Sequence, residues 1–126
     1  MYCILIDDDA IFNYVHEKTI RNLCSDCAIK TYLSSRQALT FVLENIHEEV
    51  NNQAYIFLDI NMPELTGFEF LDEVIAVIPD FLNQYNVYIL TSSLNDKDKQ
   101  KAETYIGLKG YLEKPLDKEQ LIQIFE

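Results

Sequence analysis

Short apolar runs alternate with longer stretches of helical periodicity along the whole chain. The five runs that we predict as β-strands cover residues 2–6, 28–33, 54–58, 86–90 and 110–112. Between them, apolar residues recur at the spacing of one helical face, as do Leu39, Val42, Leu43, Ile46 and Val50. The pattern predicts five strands and five helices in strict alternation, with the fourth helix over 96–106.

Three helix boundaries carry local signals. Asp9 and Asp117 are suited to cap the first and last helices, because an aspartate accepts hydrogen bonds from free N–H groups at a helix start. Pro79 ends or interrupts the third helix, and residues 78–84 make a long link to the fourth strand. The end of the third helix therefore stays open at this point.

The strands lack the in–out alternation of a half-exposed sheet. Continuous apolar strands are typical of a parallel sheet that is covered by helices on both faces. With right-handed crossovers, this predicts an α/β, doubly wound (βα)5 flavodoxin-like fold that uses residues 1–126 as one domain.

Composition narrows the function classes. The chain has 10 basic and 21 acidic residues, a formal charge of -11, which argues against sequence-independent nucleic-acid binding. No apolar run approaches the roughly 20 residues that span a bilayer, and no secretory signal is visible. Three cysteines without a signal fit reduced thiols in a cytoplasmic protein.

Cysteines and histidines are common metal ligands, but in this chain we interpret them as structural residues. Cys24 and Cys27 form C-x-x-C, but the motif closes a helix and precedes a strand, and no second such motif or histidine pair completes a zinc site. His16 and His47 are isolated, and we expect each to be a helix-surface residue and not a ligand.

Polar side chains follow four of the five strands, at the ends that meet at one edge of a parallel sheet. They are Asp7, Asp8 and Asp9 after strand one, Asp59 after strand three, Thr91, Ser92 and Ser93 after strand four, and Glu113 and Lys114 after strand five. Carboxylates gathered in this way repel one another, and one ammonium cannot balance them. An all-oxygen site of this kind suits Mg²⁺ that shares its shell with a phosphoryl group, with Lys114 and Thr91 as further donors.

The segments "LIDDDAIF", "IFLDINMPELTGFEFL", "YILTSS" and "GYLEKPL" together resemble the response-regulator receiver domain of two-component signalling, of the chemotaxis-regulator kind. The resemblance covers essentially the whole chain in the family's order and spacing. It implies a bacterial, cytoplasmic phosphoprotein in which Asp59 is the phosphoacceptor. It further implies that Mg²⁺ is held by Asp8, Asp59 and the backbone carbonyl of Asn61, with Asp7 acting through water.

The same resemblance assigns roles to the other strand ends. Lys114 would bind the phosphoryl group and pair with Asp59 when that residue is empty, aimed by a cis peptide before Pro115. Thr91 would be the switch hydroxyl and Tyr111 the switch aromatic. Asn61 and Ser93 hold positions that tune phosphoryl lifetime, and we expect Asp9 to be only a helix cap.

The implied partners are a sensor histidine kinase or phosphotransfer protein and an output protein that the sequence does not identify. The output face would consist of the fourth helix, the fifth strand and the fifth helix, and a dimer could form there. Lys97, Lys99, Lys101 and Lys109 give this face local basic character. Self-phosphorylation and slow autodephosphorylation would be the only catalysis, so enzyme status is a matter of definition; no nucleic acid or membrane partner is expected.

Two alternatives remain. A haloacid-dehalogenase-type phosphohydrolase also uses a strand-end aspartate with Mg²⁺, but it needs an acid where this chain has Asn61. A pseudo-receiver that binds partners without phosphorylation is disfavoured by the intact aspartates and Lys114. Met1 close to strand one favours a natural start and a stand-alone receiver or phosphorelay intermediate, with a trimmed piece of a longer regulator as the open alternative.

Overall fold

The computed structural model describes residues 1–45 and 54–126. Its strands are β1 (Tyr2–Ile6), β2 (Ala28–Tyr32), β3 (Ala54–Asp59), β4 (Asn86–Thr91) and β5 (Gly110–Glu113). Its helices are α1 (Ala10–Leu23), α2 (Ser35–Glu44), α3 (Gly67–Val77), α4 (Phe81–Gln84), α5 (Asp96–Glu103) and α6 (Lys118–Phe125). All five predicted strands are confirmed, each to within one residue at its end.

The five strands form one parallel sheet in the order β2-β1-β3-β4-β5. This order confirms the predicted doubly wound, flavodoxin-like fold. The three central strands are nearly fully buried, whereas β2 and β5 lie at the edges and are partly exposed. The expectation of strands buried on both faces therefore holds only for the centre of the sheet.

The core lies on both faces of the sheet. Ile4 and Ile6 belong to a large apolar cluster with α2 and α3, while Cys3 and Leu5 belong to a smaller one with α1 and α6. Successive strand side chains point to opposite faces, so alternate residues of one buried strand supply both clusters.

The helices depart from prediction in number and length. The described residues form six helices rather than five, because α3 ends before Pro79 and a short helix, α4, occupies the long link. Phe81 and Leu82 of α4 are buried in the large cluster, and that burial stabilises the extra turn. The fourth predicted helix corresponds to α5, which ends at Glu103 instead of residue 106. For α2, the predicted positions Ile46 and Val50 lie outside the described residues.

Side chains cap the helices as the sequence indicates. The carboxylate of Asp9 accepts a hydrogen bond from the Ile11 N–H at 2.9 Å, and that of Asp117 accepts one from the Gln120 N–H at 2.8 Å. Both predicted caps are therefore confirmed. No helix in the described part of the chain is long and apolar enough to cross a membrane.

Cys24 and Cys27 occupy the positions that the sequence indicates, at the end of α1 and before β2. Cys24 caps the end of α1, and the Sγ atoms of Cys27 and Cys3 lie 3.7 Å apart in the core with no disulfide. Burial raises the pKa of the Cys3 thiol far above its usual range, with the neighbouring Cys27 adding to the effect. The thiol of Cys3 is therefore protonated and acts as an apolar core group.

His16 contradicts the expectation of a surface histidine. Its side chain is buried, and its Nε2 accepts a hydrogen bond from the backbone N–H of Leu116 at 3.0 Å. A buried histidine needs a hydrogen-bond partner, and the partner of His16 lies in a distant part of the chain that only folding brings close. His47 lies outside the described residues.

Gly67 begins α3 against the end of β3. A Cβ at this position would lie 2.8 Å from the carbonyl oxygen of Asp59 and 3.1 Å from the Cα of Ile60. Both neighbours are backbone atoms, so α3 could accommodate a side chain only by moving away from the strand that carries Asp59.

We expect Gly67→Ala to lower the free energy of unfolding by about 1–3 kcal/mol, because overpacking against backbone outweighs the better helix propensity of alanine. Urea unfolding measures the change. Gly110→Ala is the comparison, since its added Cβ would meet the ring of Tyr88, which can shift, and we expect a smaller loss. Equal or higher stability of Gly67→Ala would contradict the close approach.

His16 should also make stability depend on pH. Burial lowers its pKa to about 4; the charge of Asp7 opposes this shift and that of Lys114 adds to it. The unfolded chain takes up the proton near pH 6.5, so the contribution of neutral His16 is complete above that pH and is lost as the pH falls towards about 4.

We expect the wild type to lose up to about 3 kcal/mol more stability than His16→Gln between pH 7.5 and 4, measured by urea unfolding at each pH. Glutamine can accept the same hydrogen bond but does not titrate, and the other ionisable groups are common to both proteins. Parallel stability curves would show that His16 is not buried in its neutral form.

Candidate functional site

The site lies where β1 and β3 run side by side and their connections leave the sheet on opposite faces. Ile6 pairs with Leu58 in the parallel register, so the next residues, Asp7 and Asp59, lie side by side at the carboxyl ends of neighbouring strands. Both residues are buried, at 4% and 3% exposure. Parallel strand ends of this kind are where α/β folds bind ligands.

Lys114 joins the two carboxylates. Its Nζ lies 2.7 Å from Oδ2 of Asp7 and 3.1 Å from Oδ1 of Asp59, and its side chain is 3% exposed. The residue follows β5, where its backbone N–H donates to the Thr91 carbonyl at 2.7 Å. The Lys114–Pro115 peptide is cis, as the resemblance implied.

Asp8 completes an acidic cluster. Carboxylate oxygens of Asp7, Asp8 and Asp59 all lie within 4.8 Å of one another, and Asp8 is exposed to solvent. Three carboxylates against one ammonium leave an excess of negative charge, and every donor of the cluster is an oxygen. The residues therefore fit a small divalent cation such as Mg²⁺, and the site is open to solvent on the side of Asp8.

Burial dominates the electrostatics of the site. It raises the pKa of Asp59 to about 6, and the charge of Asp7 adds to this, while Lys114 acts in the opposite direction. Burial by itself would lower the pKa of Lys114, but its hydrogen bond to Asp7 and the charges of Asp59 and Asp7 raise it on balance. The ammonium is thus charged at neutral pH.

Backbone and amide groups orient the two buried carboxylates. The N–H of Asp9 donates to Oδ1 of Asp7 at 2.9 Å, and the N–H of Asn61 lies 3.4 Å from Oδ1 of Asp59. Asn13 donates to the carbonyls of Asp7 and Tyr32, both at 3.1 Å, which ties α1 to the ends of β1 and β2.

The hydroxyl and aromatic positions lie on the adjacent strands. Thr91 is buried, and its hydroxyl donates to the carbonyl of Ser93 at 3.0 Å and accepts from the N–H of Ser93 at 3.2 Å. Tyr111 is half-buried, and its hydroxyl accepts a weak hydrogen bond from the N–H of Asn95, the cap of α5, at 3.4 Å. The exposed Ser93 and Asn61 border this region.

Three residues of α1 were missed as parts of this region. Asn13 supports Asp7, the Phe12 ring centroid lies 4.2 Å from Nζ of Lys114, and His16 binds the backbone at Leu116. The only signal in the sequence was the spacing of Phe12 and His16, which places both on one helical face.

Comparisons with known proteins show which family the chain resembles. Residues 3–126 match the family model described as the response regulator receiver domain. A comparison with curated protein sequences gives no significant match.

The chain is also similar to proteins whose structures have been solved. A two-component response regulator from Cytophaga hutchinsonii is 30% identical, with a TM-score of 0.86 over 98% of this chain and 92% of that chain. One from Legionella pneumophila is 29% identical, with a TM-score of 0.79 over 99% and 95%. A chemotaxis protein from Vibrio cholerae, 24% identical, shares the fold with a TM-score of 0.76 over 98% and 93%. The match to the family model covers nearly the whole chain, and the chain therefore belongs to the family of response regulator receiver domains.

Proposed function

We propose that the protein is a phosphoacceptor receiver of a two-component system, in which Asp59 accepts a phosphoryl group from the phosphohistidine of a sensor histidine kinase or phosphotransfer protein. The observation that carries the proposal is the Lys114 ammonium bound between the buried carboxylates of Asp7 and Asp59. Residues 1–126 act as one receiver domain in this proposal, and the setting is cytoplasmic.

The carboxylate of Asp59 is the nucleophile. One of its oxygens forms a bond to phosphorus as the phosphorus–nitrogen bond to the donor imidazole breaks, and that imidazole takes a proton from solvent. Lys114 is close enough to exchange its bond with Asp59 for one to a phosphoryl oxygen, which offsets the charge that the transfer brings into the site. Attack by water on the acyl phosphate would reverse the modification slowly.

Asp8, Asp59 and the backbone carbonyl of Asn61 would hold Mg²⁺, with Asp7 acting through water. Bound there, the ion neutralises phosphoryl oxygens and carboxylate charge. Asp8 is suited to direct ligation because it is exposed, whereas Asp7 is occupied by Lys114 and the N–H of Asp9.

Thr91 and Tyr111 would couple the modification to the output face, which consists of α5, β5 and α6. Thr91 ends β4 beside the backbone of Lys114, and Tyr111 contacts the start of α5 through Asn95. A phosphoryl group that binds one arrangement of these residues better shifts the population towards it. Asn61 and Ser93 would tune its lifetime, and the output protein or a second copy would bind this face.

We expect intact mass to rise by one phosphoryl group when the protein is incubated with acetyl phosphate and Mg²⁺, because Asp59 is the only proposed acceptor. Asp59→Asn should gain none, and omission of Mg²⁺ should slow the wild type by at least an order of magnitude. Equal phosphorylation of the mutant would exclude Asp59. No phosphorylation of the wild type would favour the pseudo-receiver, and turnover of small phosphate esters would favour a phosphohydrolase.

We also expect Asp8→Asn to weaken Mg²⁺ binding by about tenfold or more, since it removes one charged oxygen ligand. Isothermal titration calorimetry of the native chain with MgCl₂ measures this. Asp9→Asn is the matched control: it makes the same change in charge one residue away, and asparagine caps a helix as well as aspartate. Equal weakening by both variants would mean that only overall charge matters.

A further inference from the structure

Helix α1 presents two rings to the segment that carries Lys114. Phe12 and His16 are one helical turn apart, and their rings stack at a centroid distance of 6.2 Å with an interplanar angle of 26°. Phe12 is half-buried and His16 is buried. Neither belongs to the acidic cluster, and the chemistry proposed above assigns neither a role.

His16 holds the backbone two residues beyond Lys114. Leu116 is buried, so its N–H cannot turn to water, and Nε2 of His16 accepts it at 3.0 Å. An unpaired buried N–H is costly, so this contact limits how far residues 114–116 can move. Acceptance at Nε2 requires the neutral ring with its proton on Nδ1.

Phe12 contacts Lys114 directly. The Nζ atom lies 4.2 Å from the ring centroid, within the range in which an ammonium is attracted to the face of an aromatic ring. The other recorded contacts of this ammonium are the carboxylates of Asp7 and Asp59. The ring is therefore an uncharged partner of an ammonium whose two other partners are charged.

We propose that Phe12 and His16 form a clamp on α1 that positions Lys114 for phosphoryl transfer to Asp59: His16 fixes the backbone at Leu116, and Phe12 confines the ammonium. This inference rests on the proposed function. Phe12 and His16 are positioning residues that act through Lys114. Their effect is on rate, because a displacement of about 1 Å at a reacting centre can cost up to a hundredfold.

The test compares four variants with the wild type. His16→Leu keeps the bulk but removes the acceptor, and His16→Gln keeps an acceptor. Phe12→Leu removes the ring, and Val42→Ala shortens a buried side chain of α2 in the large apolar cluster on the other face of the sheet, to which Leu116 does not belong. Intact mass with acetyl phosphate and Mg²⁺ gives the phosphorylation rate, at a temperature at which circular dichroism shows each variant to be folded.

We expect His16→Leu and Phe12→Leu to be phosphorylated on the order of tenfold more slowly, while His16→Gln recovers most of the rate. Val42→Ala should melt at a lower temperature but react like the wild type. In ¹⁵N spectra, the imidazole of the wild type should show the Nδ1–H tautomer, and the Leu116 amide should shift in His16→Leu but little in His16→Gln.

Results other than these would overturn either the proposed function or the clamp. A wild type that gains no phosphoryl group overturns the proposed function and the clamp with it. A phosphorylated wild type together with wild-type rates in His16→Leu and Phe12→Leu overturns the clamp alone, as does a Val42→Ala variant that reacts as slowly as those two. If His16→Leu does not fold, a wild-type rate in Phe12→Leu or the Nε2–H tautomer in the wild type overturns the clamp.

Discussion

The ammonium of Lys114 between the carboxylates of Asp7 and Asp59 is the interaction on which the arrangement of the site depends. Three strands end at this point, and each contributes one of the charged groups. Without the ammonium, two buried carboxylates on neighbouring strands would repel, and burial already raises the pKa of Asp59 to about 6. One cation does not balance the cluster, which keeps an excess of negative charge.

The rest of the fold holds these strand ends in place. The apolar clusters on the two faces of the sheet fix β1 and β3 side by side, and Gly67 lets α3 start against the backbone of Asp59. On the opposite face, α1 supports Asp7 through Asn13 and the Lys114 segment through His16. Helices that pack the core therefore also orient the groups of the site, so stability and chemistry are coupled through the same contacts.

The fold and the composition of the site were predictable because each rests on a local property. Apolar runs predicted the five strands, and the polar residues after those strands predicted which groups share an edge of the sheet. The errors lie where tertiary packing decides. The short helix α4 forms because Phe81 and Leu82 are buried in the core. His16 can be buried because its Nε2 accepts a hydrogen bond from the N–H of Leu116, a hundred residues away.

The order of the elements, the parallel sheet and the acidic residues at the carboxyl ends of its strands can be read from the sequence, because they follow from periodicity and from the residues at strand ends. The bonds of Lys114 to both Asp7 and Asp59, and the position of Phe12 and His16 against its segment, depend instead on tertiary packing. Those contacts join residues separated by up to 107 positions, and their distances depend on how the helices pack on the sheet.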